Sequence, residues 1–270
     1  MFTCYVIGSP IRHSLSPVLH EAGYRKHSME DEWRFERHEC TADQVAEFVA
    51  GCDASVRGIS VTMPCKFAAL DVADEVSERA TTIGSANTLV HRGDGTWAAD
   101  NTDCEGILGA LDELGVTDKI AGSEVVIIGG GGTSRPALWA VGSLGAARVT
   151  VINRTDKSAQ LRPLVGDAEF SYRDFSGDLS HVTRQASVVI STVPSAVLAG
   201  REAEIAHCPV LDVIYDPRPT PLTQAARVAG FPAVEGNVML AHQSFSQFEQ
   251  YTGRPAPRTA MRDALESFLS

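Results

Sequence analysis

The order of hydrophobic and polar positions predicts strands and helices that alternate along the first hundred residues. Short runs rich in valine, isoleucine and aromatic residues are typical of buried strands, and the amphipathic segments between them are typical of helices. This alternation predicts a largely parallel sheet covered by helices. The predicted strands are 5–7, 33–39, 58–61 and a hairpin of 88–91 with 96–99, and the predicted helices are 17–26, 42–50 and 67–73.

A second unit begins near Gly122. It opens on the apolar segment 124–128, E-V-V-I-I, which is followed by a run of glycines and a predicted helix at 135–144. A strand, a glycine loop and a helix in this order are typical of a nucleotide-binding βαβ unit. Further strands are predicted at 148–152, 187–191 and 210–214, and helices at 237–251, whose polar residues share one face, and at 257–269.

Composition and charge narrow the class of protein. The chain has 270 residues, of which 44% are hydrophobic and 21% charged, as in soluble globular proteins of one or two domains. A net charge of −11 argues against nucleic acid or an anionic membrane as a partner, since phosphate binding requires clustered Lys and Arg. No segment approaches the roughly 20 apolar residues of a membrane span, and the first residues lack the pattern of a signal peptide.

The cysteines and histidines indicate neither a disulfide framework nor a metal site. The six cysteines are scattered and form no C-x-x-C motif, so we expect reduced thiols in a cytoplasmic protein. The eight histidines show no H-E-x-x-H or similar spacing, so we expect no bound metal.

The four glycines at 129–132 lie between a predicted buried strand and the helix that follows it. Glycines at this point let the backbone approach a pyrophosphate, and the amides at the helix N-terminus face its charge. The run differs from the usual G-x-G-x-x-G because Ser134 takes the sixth position. Its place in the βαβ unit still indicates a dinucleotide-binding loop.

The end of the next strand distinguishes the two nicotinamide cofactors. An NAD site normally carries Asp or Glu there, which accepts a hydrogen bond from the ribose 2′-hydroxyl. This chain has Asn153, Arg154 and Thr155, with Lys157 just beyond. A guanidinium and a hydroxyl suit a 2′-phosphate, which a carboxylate would repel. The pattern favours NADP over NAD, although Arg154 could be a solvated loop residue and Asp156 weakens the case.

Lys66 and Asp103 each lie in a short polar motif within apolar sequence, S-V-T-M-P-C-K-F and D-N-T-D-C-E-G. An ammonium and a carboxylate that meet at a substrate hydroxyl can pass a proton to and from it. Together with the dinucleotide loop, this predicts proton transfer coupled to hydride transfer. Taken alone, Lys66 is better explained as a solvated lysine and Asp103 as a helix N-cap.

Other polar residues could hold a small hydroxylated acid. Ser14 and Ser16 lie two apart before a helix, and in an extended segment both hydroxyls would point the same way and could hold one carboxylate. The alternative is that Ser16 is only a helix N-cap followed by Pro17. Asn87 and Gln243 offer donors and acceptors to hydroxyl groups, but either could be an ordinary turn or surface amide.

These motifs, in this order, closely resemble those of shikimate dehydrogenases, and the resemblance spans nearly the whole chain. The resemblance implies an α/β fold of two domains with the active site in the cleft between them. It assigns residues 1–103 and 237–270 to a discontinuous substrate-binding domain and residues 104–236 to a Rossmann-type NADP-binding domain. The matching segments are S-P-I-R-H-S-L-S-P, V-T-M-P-C-K, S-A-N-T-L, N-T-D-C-E-G, G-G-G-G-T-S, N-R-T, Y-D-P-R-P-T-P-L and G-N-V-M-L-A-H-Q.

The resemblance also implies a reaction and a role for each matching residue. The reaction is the reversible NADPH-dependent reduction of 3-dehydroshikimate to shikimate, a step of the shikimate pathway to chorismate and the aromatic amino acids. Lys66 and Asp103 would be the catalytic acid–base pair. The substrate-binding residues would be Ser14, Ser16, Thr62, Asn87, Tyr215 and Gln243. The NADP-binding residues would be Gly129, Gly130, Gly131, Gly132, Thr133, Asn153, Arg154, Thr155, Ser191, Thr192, Val193, Pro194 and Gly236.

A few positions depart from the family pattern. Ser60 stands where Asn is common, and Asp100 stands where Gly is usual. Lys157 follows the threonine of N-R-T by two places where a second basic residue usually follows by three, which leaves the strength of the NADP preference open. Ser16 occupies a position where Thr occurs in relatives that also accept quinate, and so favours shikimate.

Two alternative functions remain open at this point. One is a quinate/shikimate dehydrogenase that uses NAD, which Arg154 and the missing carboxylate disfavour. The other is a non-catalytic relative that binds shikimate-like ligands or NADP, which the presence of both Lys66 and Asp103 disfavours. We expect a small-molecule substrate, no nucleic-acid or membrane partner, and a monomer or homodimer.

Overall fold

The computed structural model describes every residue from Met1 to Ser270. It contains no helix that is both long enough and apolar enough to cross a membrane. The chain forms two compact units: the first unit comprises residues 1–102 and 240–270, and the second unit comprises residues 103–239.

The secondary structure alternates along both units. The strands are β1 (Phe2–Gly8), β2 (Trp33–Glu39), β3 (Val56–Val61), β4 (Glu75–Val76), β5 (Thr88–His91), β6 (Trp97–Asp100), β7 (Glu124–Ile128), β8 (Arg148–Ile152), β9 (Glu169–Arg173), β10 (Val188–Ser191), β11 (Val210–Asp212) and β12 (Ala233–Glu235). The α-helices are α1 (Ser16–Lys26), α2 (Val45–Ala50), α3 (Lys66–Asp71), α4 (Glu78–Ile83), α5 (Asp103–Glu113), α6 (Thr117–Ile120), α7 (Ser134–Ser143), α8 (Ser158–Leu161), α9 (Ser180–Thr183), α10 (Glu202–Ile205), α11 (Pro221–Val228), α12 (Gly236–Thr252) and α13 (Arg258–Leu269).

The first unit contains a six-stranded mixed sheet in the order β2-β1-β3-β5-β6-β4. β1 runs parallel to β2 and to β3, as the alternation of strands and helices predicts. β5 is antiparallel to both β3 and β6, so the predicted hairpin is confirmed and the sheet is only partly parallel. Because β1 and β3 are parallel neighbours, the segments that follow Gly8 and Val61 emerge side by side.

Close helix packing holds α12 against this sheet. A Cβ at Gly58 of β3 would stand 2.1 Å from the Tyr251 ring of α12, and a Cβ at Gly23 of α1 would stand 2.6 Å from the Phe248 ring. Glycine is therefore required at both positions for α12 to approach β3 and α1 this closely. The approach brings the polar face of α12 into contact with the ends of β3 and β5.

The second unit contains six parallel strands in the order β12-β11-β10-β7-β8-β9. Counted from β7 as the first strand, this is the 3-2-1-4-5-6 order of doubly wound dinucleotide-binding domains. The strand order reverses between β7 and β10, and ligands bind outside the carboxyl ends of the strands at such a point. The predicted Rossmann-type unit is confirmed.

Alternate residues of the central strands are buried on opposite faces of this sheet. Val125 and Ile127 of β7 pack into one apolar cluster, and Val126 and Ile128 pack into another. Both faces are covered, so the strands carry apolar residues at almost every position. That pattern explains why the sequence predicts β7 and β8 with the bounds that the structure has.

Several elements of the second unit were not predicted. β9 is an edge strand whose residues are all exposed or only partly buried, so it lacks an apolar run. β12, at the other edge, has only three residues. The predicted strand at 210–214 is shorter, because β11 ends at Asp212 and the chain leaves the sheet there.

Candidate active site

The hydroxyl groups of Ser14 and Ser16 lie together at the start of α1. Their Oγ atoms are 3.4 Å apart, and the Ser16 N–H donates to Ser14 Oγ at 3.4 Å. The expectation of an extended segment was wrong, because Leu15 has a ψ of 1° and forms a turn. The N-cap position belongs to Leu15, and Ser16 is the first residue of the helix. Two adjacent hydroxyls can still donate to the two oxygens of one carboxylate.

Thr62 lies on the turn between β3 and α3, beside the end of β1, and Lys66 follows at the start of α3. The Ser9 N–H donates to Met63 O at 3.0 Å, which ties this turn to the segment after Gly8. A Cβ at Gly8 would stand 2.4 Å from Thr62 Cγ2, so only glycine permits this approach. Lys66 is the first residue of α3, and both it and Thr62 are partly buried.

Asn87 and Gln243 form a buried polar cluster with Thr102. Asn87 Oδ1 accepts hydrogen bonds from the Thr102 N–H at 2.7 Å and from Thr88 Oγ1 at 2.8 Å. Asn87 Nδ2 lies 3.4 Å from Gln243 Oε1. Asn87 is 2% exposed and Gln243 is 7% exposed, so neither is the ordinary surface amide that the sequence left open. The cluster joins residues separated by 156 positions in the chain.

Asp103 is the first residue of α5 and is 6% exposed. It follows Thr102 directly, at the point where the chain passes from the first unit to the second. Ser14, Ser16, Thr62, Lys66, Asn87 and Gln243 all belong to the first unit, whereas Asp103 opens the second.

The glycine loop between β7 and α7 is shaped by close backbone contacts. Gly129 has a φ of +117°, and a Cβ there would stand 2.3 Å from Thr192 Oγ1. A Cβ at Gly130 would stand 2.7 Å from Asn153 Nδ2. No heavy atom lies within 4 Å of the Cβ position of Gly131 or Gly132, so a ligand can reach their backbone.

The start of α7 and the end of β10 complete this loop. Ser134 Oγ accepts from the Gly131 N–H at 3.1 Å and lies 2.7 Å from Thr192 Oγ1. Thr192 Oγ1 in turn donates to Ile128 O at 2.9 Å. Thr133 is the N-cap of α7. Ser134, the residue that breaks the usual glycine pattern, therefore fixes the loop to the neighbouring strand end.

The residues after β8 lie next to the glycine loop. Asn153 Nδ2 donates to Thr155 O at 2.8 Å, which closes a turn, and Arg154 and Thr155 are exposed on it. Lys157 Nζ donates to Gly130 O at 2.9 Å. Two basic side chains therefore lie at the end of β8, where a dinucleotide places its ribose 2′ position.

Ser191, Thr192, Val193 and Pro194 follow β10 on the other side of the loop. The Cβ position of Gly129 is 3.1 Å from Val193 Cγ1, so this segment contacts the glycine loop directly. Ser191 is fully buried. Pro194 is the N-cap of a short 3-10 helix that leads the chain away. The two loops thus form the two sides of the switch-point crevice within the second unit.

Gly236 lies against the backbone that precedes Tyr215 in the second unit. The Gly236 N–H donates to Ile214 O at 3.1 Å, and a Cβ there would stand 1.9 Å from Val213 O, so only glycine fits. Burial raises the pKa of Tyr215, and the nearby Asp216 carboxylate adds to the effect. Burial also raises the pKa of Asp212, at the end of β11, to about 6.

Sequence reasoning missed residues that act through these side chains. Thr88, Thr102 and Gln247 hold Asn87, and Ser134 and Lys157 hold the glycine loop. Nothing in the local sequence predicts the bond from Lys157 to Gly130 O. The polar face predicted for α12 was the one signal that could have pointed to Gln247. No group of three or more His, Cys, Asp or Glu side chains is placed to hold a metal ion.

Comparison with protein families agrees along most of the chain. Residues 6–89 match the shikimate dehydrogenase substrate binding domain, and residues 113–211 match shikimate / quinate 5-dehydrogenase. Residues 238–266 match the shikimate 5′-dehydrogenase C-terminal domain. The chain spans only 17% of the pentafunctional AROM polypeptide of Lachancea thermotolerans, to which it is 31% identical over 97% of its own length.

Relatives of similar length and solved structures give the same family. The shikimate dehydrogenase (NADP(+)) of Methanothermobacter thermautotrophicus is 33% identical over 98% of this chain and 96% of the relative. The crystal structure of Mycobacterium tuberculosis shikimate dehydrogenase is 43% identical, with a TM-score of 0.91 over 99% of this chain and 100% of that one. The Thermus thermophilus shikimate 5-dehydrogenase, solved in complex with NADP(H) and shikimate, is 26% identical, with a TM-score of 0.82 over 99% of each chain. This chain belongs to the shikimate dehydrogenase family.

Proposed function

We propose that this protein is an NADP-dependent shikimate dehydrogenase that catalyses the reversible reduction of 3-dehydroshikimate to shikimate. The observation that carries the proposal is the buried cluster of Asn87, Thr102 and Gln243, in which Gln243 lies 156 and 141 positions from its two partners. Buried amides that contact one another at a strand end suit a substrate with several hydroxyl groups. In this role the enzyme serves the biosynthesis of aromatic amino acids.

The substrate is held at its carboxylate and at its hydroxyls. Ser14 and Ser16, with their hydroxyls 3.4 Å apart, donate to the carboxylate. Thr62, Asn87 and Gln243 bind the ring hydroxyls. Tyr215 contributes from the loop after β11. A rigid set of donors of this kind orients a small ring without help from apolar contacts.

Lys66 transfers the proton, and Asp103 assists it as an orienting group. In the direction of reduction, the ammonium of Lys66 donates a proton to the alkoxide that forms at C3. In the direction of oxidation, the neutral amine of Lys66 accepts the proton of the C3 hydroxyl. Asp103 orients the C4 hydroxyl of the substrate. Positioned acid–base catalysis of this kind is worth on the order of 10²- to 10⁴-fold in rate.

The second unit has the features that NADP requires. Gly131 and Gly132 leave open the backbone that a pyrophosphate approaches, and Gly129 and Gly130 have no room for a side chain. Arg154 and Thr155, exposed at the end of β8, suit the 2′-phosphate. When bound, the reduced cofactor supplies the hydride. Asn153 and Thr133 would border the adenosine and phosphate end. The nicotinamide end would be bordered by Ser191, Thr192, Val193, Pro194 and Gly236.

The cysteines support a reducing cellular compartment for the enzyme. All six are free thiols, and five of them are buried. Cysteines that remain unpaired are typical of proteins in reducing compartments. We therefore place the enzyme in the cytoplasm.

One absorbance assay tests the proposal. Purified protein is supplied with shikimate or quinate, each with NADP or NAD, and the formation of reduced nicotinamide is followed. We expect the highest kcat/KM with shikimate and NADP. A preference for quinate with NAD would support the catabolic alternative instead, and binding of shikimate without turnover would support the non-catalytic alternative.

A further inference from the structure

Gln247 connects α12 to the strand end that carries Asn87. Its side chain is 1% exposed, and its Nε2 lies 3.0 Å from Asn87 O and 2.9 Å from Thr88 Oγ1. Its Oε1 accepts a hydrogen bond from Ser60 Oγ at 2.7 Å. Ser60 Oγ also lies 3.2 Å from Tyr251 OH. These five residues all belong to the first unit, and two of them, Gln247 and Tyr251, lie on α12.

The partners determine the direction of each hydrogen bond. The backbone carbonyl of Asn87 can only accept, so the Gln247 atom that faces it is the amide nitrogen. The same nitrogen donates to Thr88 Oγ1, which leaves the hydroxyl proton of Thr88 for Asn87 Oδ1 at 2.8 Å. The backbone N–H of Thr102 donates to that Oδ1 at 2.7 Å, which identifies the atom as oxygen.

A relay from Gln247 through Thr88 to Asn87 therefore sets the orientation of the Asn87 amide. The oxygen of that amide receives donors from Thr88 and Thr102, and its nitrogen is turned toward Gln243. We propose that Gln247 is a positioning residue, which holds the N–H groups of Asn87 where they can donate to a substrate hydroxyl. The inference rests on the proposed function, in which Asn87 and Gln243 bind the hydroxyls of shikimate.

Ser60, one of the residues that depart from the family pattern, takes part in this relay. The Ser60 hydroxyl donates to Gln247 Oε1, and the Tyr251 hydroxyl is then placed to donate to Ser60. The hydrogen bonds thus run in one direction from Tyr251 to Asn87, and a chain of aligned hydrogen bonds is strengthened by polarisation. A serine at position 60 supplies the donor that keeps the Gln247 amide from rotating.

The test compares two isosteric substitutions on the same face of α12. Gln247→Met removes the relay, and Gln250→Met removes a hydrogen bond to Asp100 Oδ2 of 2.9 Å without touching Asn87. A lost hydrogen bond of about 1 kcal/mol corresponds to a change of roughly fivefold in binding. We expect Gln247→Met to raise the KM for shikimate about five- to tenfold and to leave the KM for NADP within twofold of wild type. Gln250→Met should leave both KM values within twofold.

A second variant gives a signature that a merely structural role would not produce. In Gln247→Glu an ionised carboxylate faces the Asn87 carbonyl, whereas a protonated carboxyl group can still donate to it. The ratio of the KM of Gln247→Glu for shikimate to the wild-type KM should fall toward one as the pH is lowered. The same ratio for Gln247→Met should stay constant. Thr88→Val should raise the KM as Gln247→Met does, and Thr88→Ser, which keeps the hydroxyl, should restore it.

The outcomes separate the two proposals. A wild-type protein that does not oxidise shikimate would overturn the proposed function and, with it, this inference. Wild-type activity combined with the same shikimate KM in Gln247→Met and Gln250→Met would overturn the positioning role alone. A KM ratio for Gln247→Glu that does not change with pH would do the same.

Discussion

Arg79 and Asp100 form a two-pronged ion pair inside the first unit. Arg79 Nε donates to Asp100 Oδ1 at 2.7 Å, and Nη2 donates to Oδ2 at 2.5 Å. Ser77 Oγ and Gln250 Nε2 donate to the same carboxylate at 2.7 and 2.9 Å. Burial alone would raise the pKa of Asp100, but the hydrogen bonds from Arg79 and Ser77 hold it below its ordinary value. The aspartate that departs from the family pattern is thus the centre of a partly buried polar cluster.

Breaking this ion pair should destabilise the fold. The side chains of Arg79 and Asp100 are 21% and 14% exposed, so removing one leaves the other charge largely buried without its main partner. We expect Arg79→Met to lower the free energy of unfolding by roughly 3 kcal/mol. In a double-mutant cycle with Asp100→Asn, the coupling energy should be about 2 kcal/mol, measured by denaturant unfolding.

The exposed pair of Arg92 and Glu75, with a 2.9 Å contact and side chains 52% and 66% exposed, is the matched control. Its coupling energy should be below about 1 kcal/mol. Equal coupling in the two pairs would contradict the importance of burial.

Substitution of Lys66 should abolish most of the catalysis and leave substrate binding intact. We expect Lys66→Ala to lower kcat by on the order of 10²- to 10⁴-fold, because the proton donor and acceptor is lost. The Kd for shikimate, measured by calorimetry, should change little. Lys26→Ala, at the exposed end of α1, is the control and should retain the wild-type kcat. Near wild-type turnover by Lys66→Ala would refute its catalytic role.

Arg154 should determine the choice between the two nicotinamide cofactors. Loss of a charge-assisted hydrogen bond to the 2′-phosphate costs about 1.5–3 kcal/mol, so we expect Arg154→Ser to raise the KM for NADP by roughly 10- to 100-fold. NAD has no 2′-phosphate, so its KM should not rise. Arg162→Ser is the control. Arg162 is the first residue of the 3-10 helix Arg162–Val165, and its substitution should leave both KM values unchanged. If Arg154→Ser raises both KM values equally, the residue does not recognise the phosphate.

His20 should make the first unit sensitive to acid. It is fully buried and stacks on Phe35 at 4.2 Å, and burial lowers its pKa to about 3. Gln247 lies near the ring, but its amide hydrogens are donated to Asn87 and Thr88, and neither ring nitrogen has a hydrogen-bond partner. The native state excludes the proton that the unfolded chain binds, so stability is lost as the pH falls from 6.5 toward 3.

His20→Phe removes this titration. The drop in unfolding free energy between pH 7 and pH 4 should be about 3 kcal/mol smaller in the variant than in wild type. Denaturant unfolding at several pH values measures it, and parallel curves for the two proteins would contradict the expectation.

Asp212 should make the protein less stable as the pH rises, which is the opposite of the effect of His20. Burial raises its pKa from 3.8 to about 6, so the native state holds a proton more tightly than the unfolded chain does. Stability therefore falls as the pH rises from 3.8 through 6, by about 3 kcal/mol in total, and is level above that. Asp212→Asn should lose this dependence. A variant whose stability still falls over the same interval would show that another group is responsible.

The sequence predicts elements well where burial imposes a simple pattern. The bounds of β2, β7 and β8 are those predicted, because each strand carries a continuous or alternating apolar run between turn residues. The glycine loop was predicted for the same reason, since it directly follows a strand buried on both faces. β9 was missed because an edge strand has no such run.

The polar contacts of the site could not be predicted from local pattern. Asn87, Thr88 and Gln247 are each unremarkable in sequence, and the bonds that join Gln247 to Asn87 and Thr88 span 160 and 159 positions. The sequence predicts adjacent hydroxyls for Ser14 and Ser16 from an extended backbone. In the structure a turn at Leu15 brings the two hydroxyls together. Such contacts depend on how α12 packs on the sheet, which a linear pattern does not contain.

The glutamines of α12 also constrain how this helix can change during evolution. Gln243, Gln247 and Gln250 contact Asn87, Thr88 and Asp100 from one narrow arc of the helix. One inserted or deleted residue between them would rotate everything beyond it by about 100° and turn Gln250 away from its partner. Relatives should therefore vary in length at exposed sites such as the hairpin tip at 92–95, and keep the spacing within α12 constant.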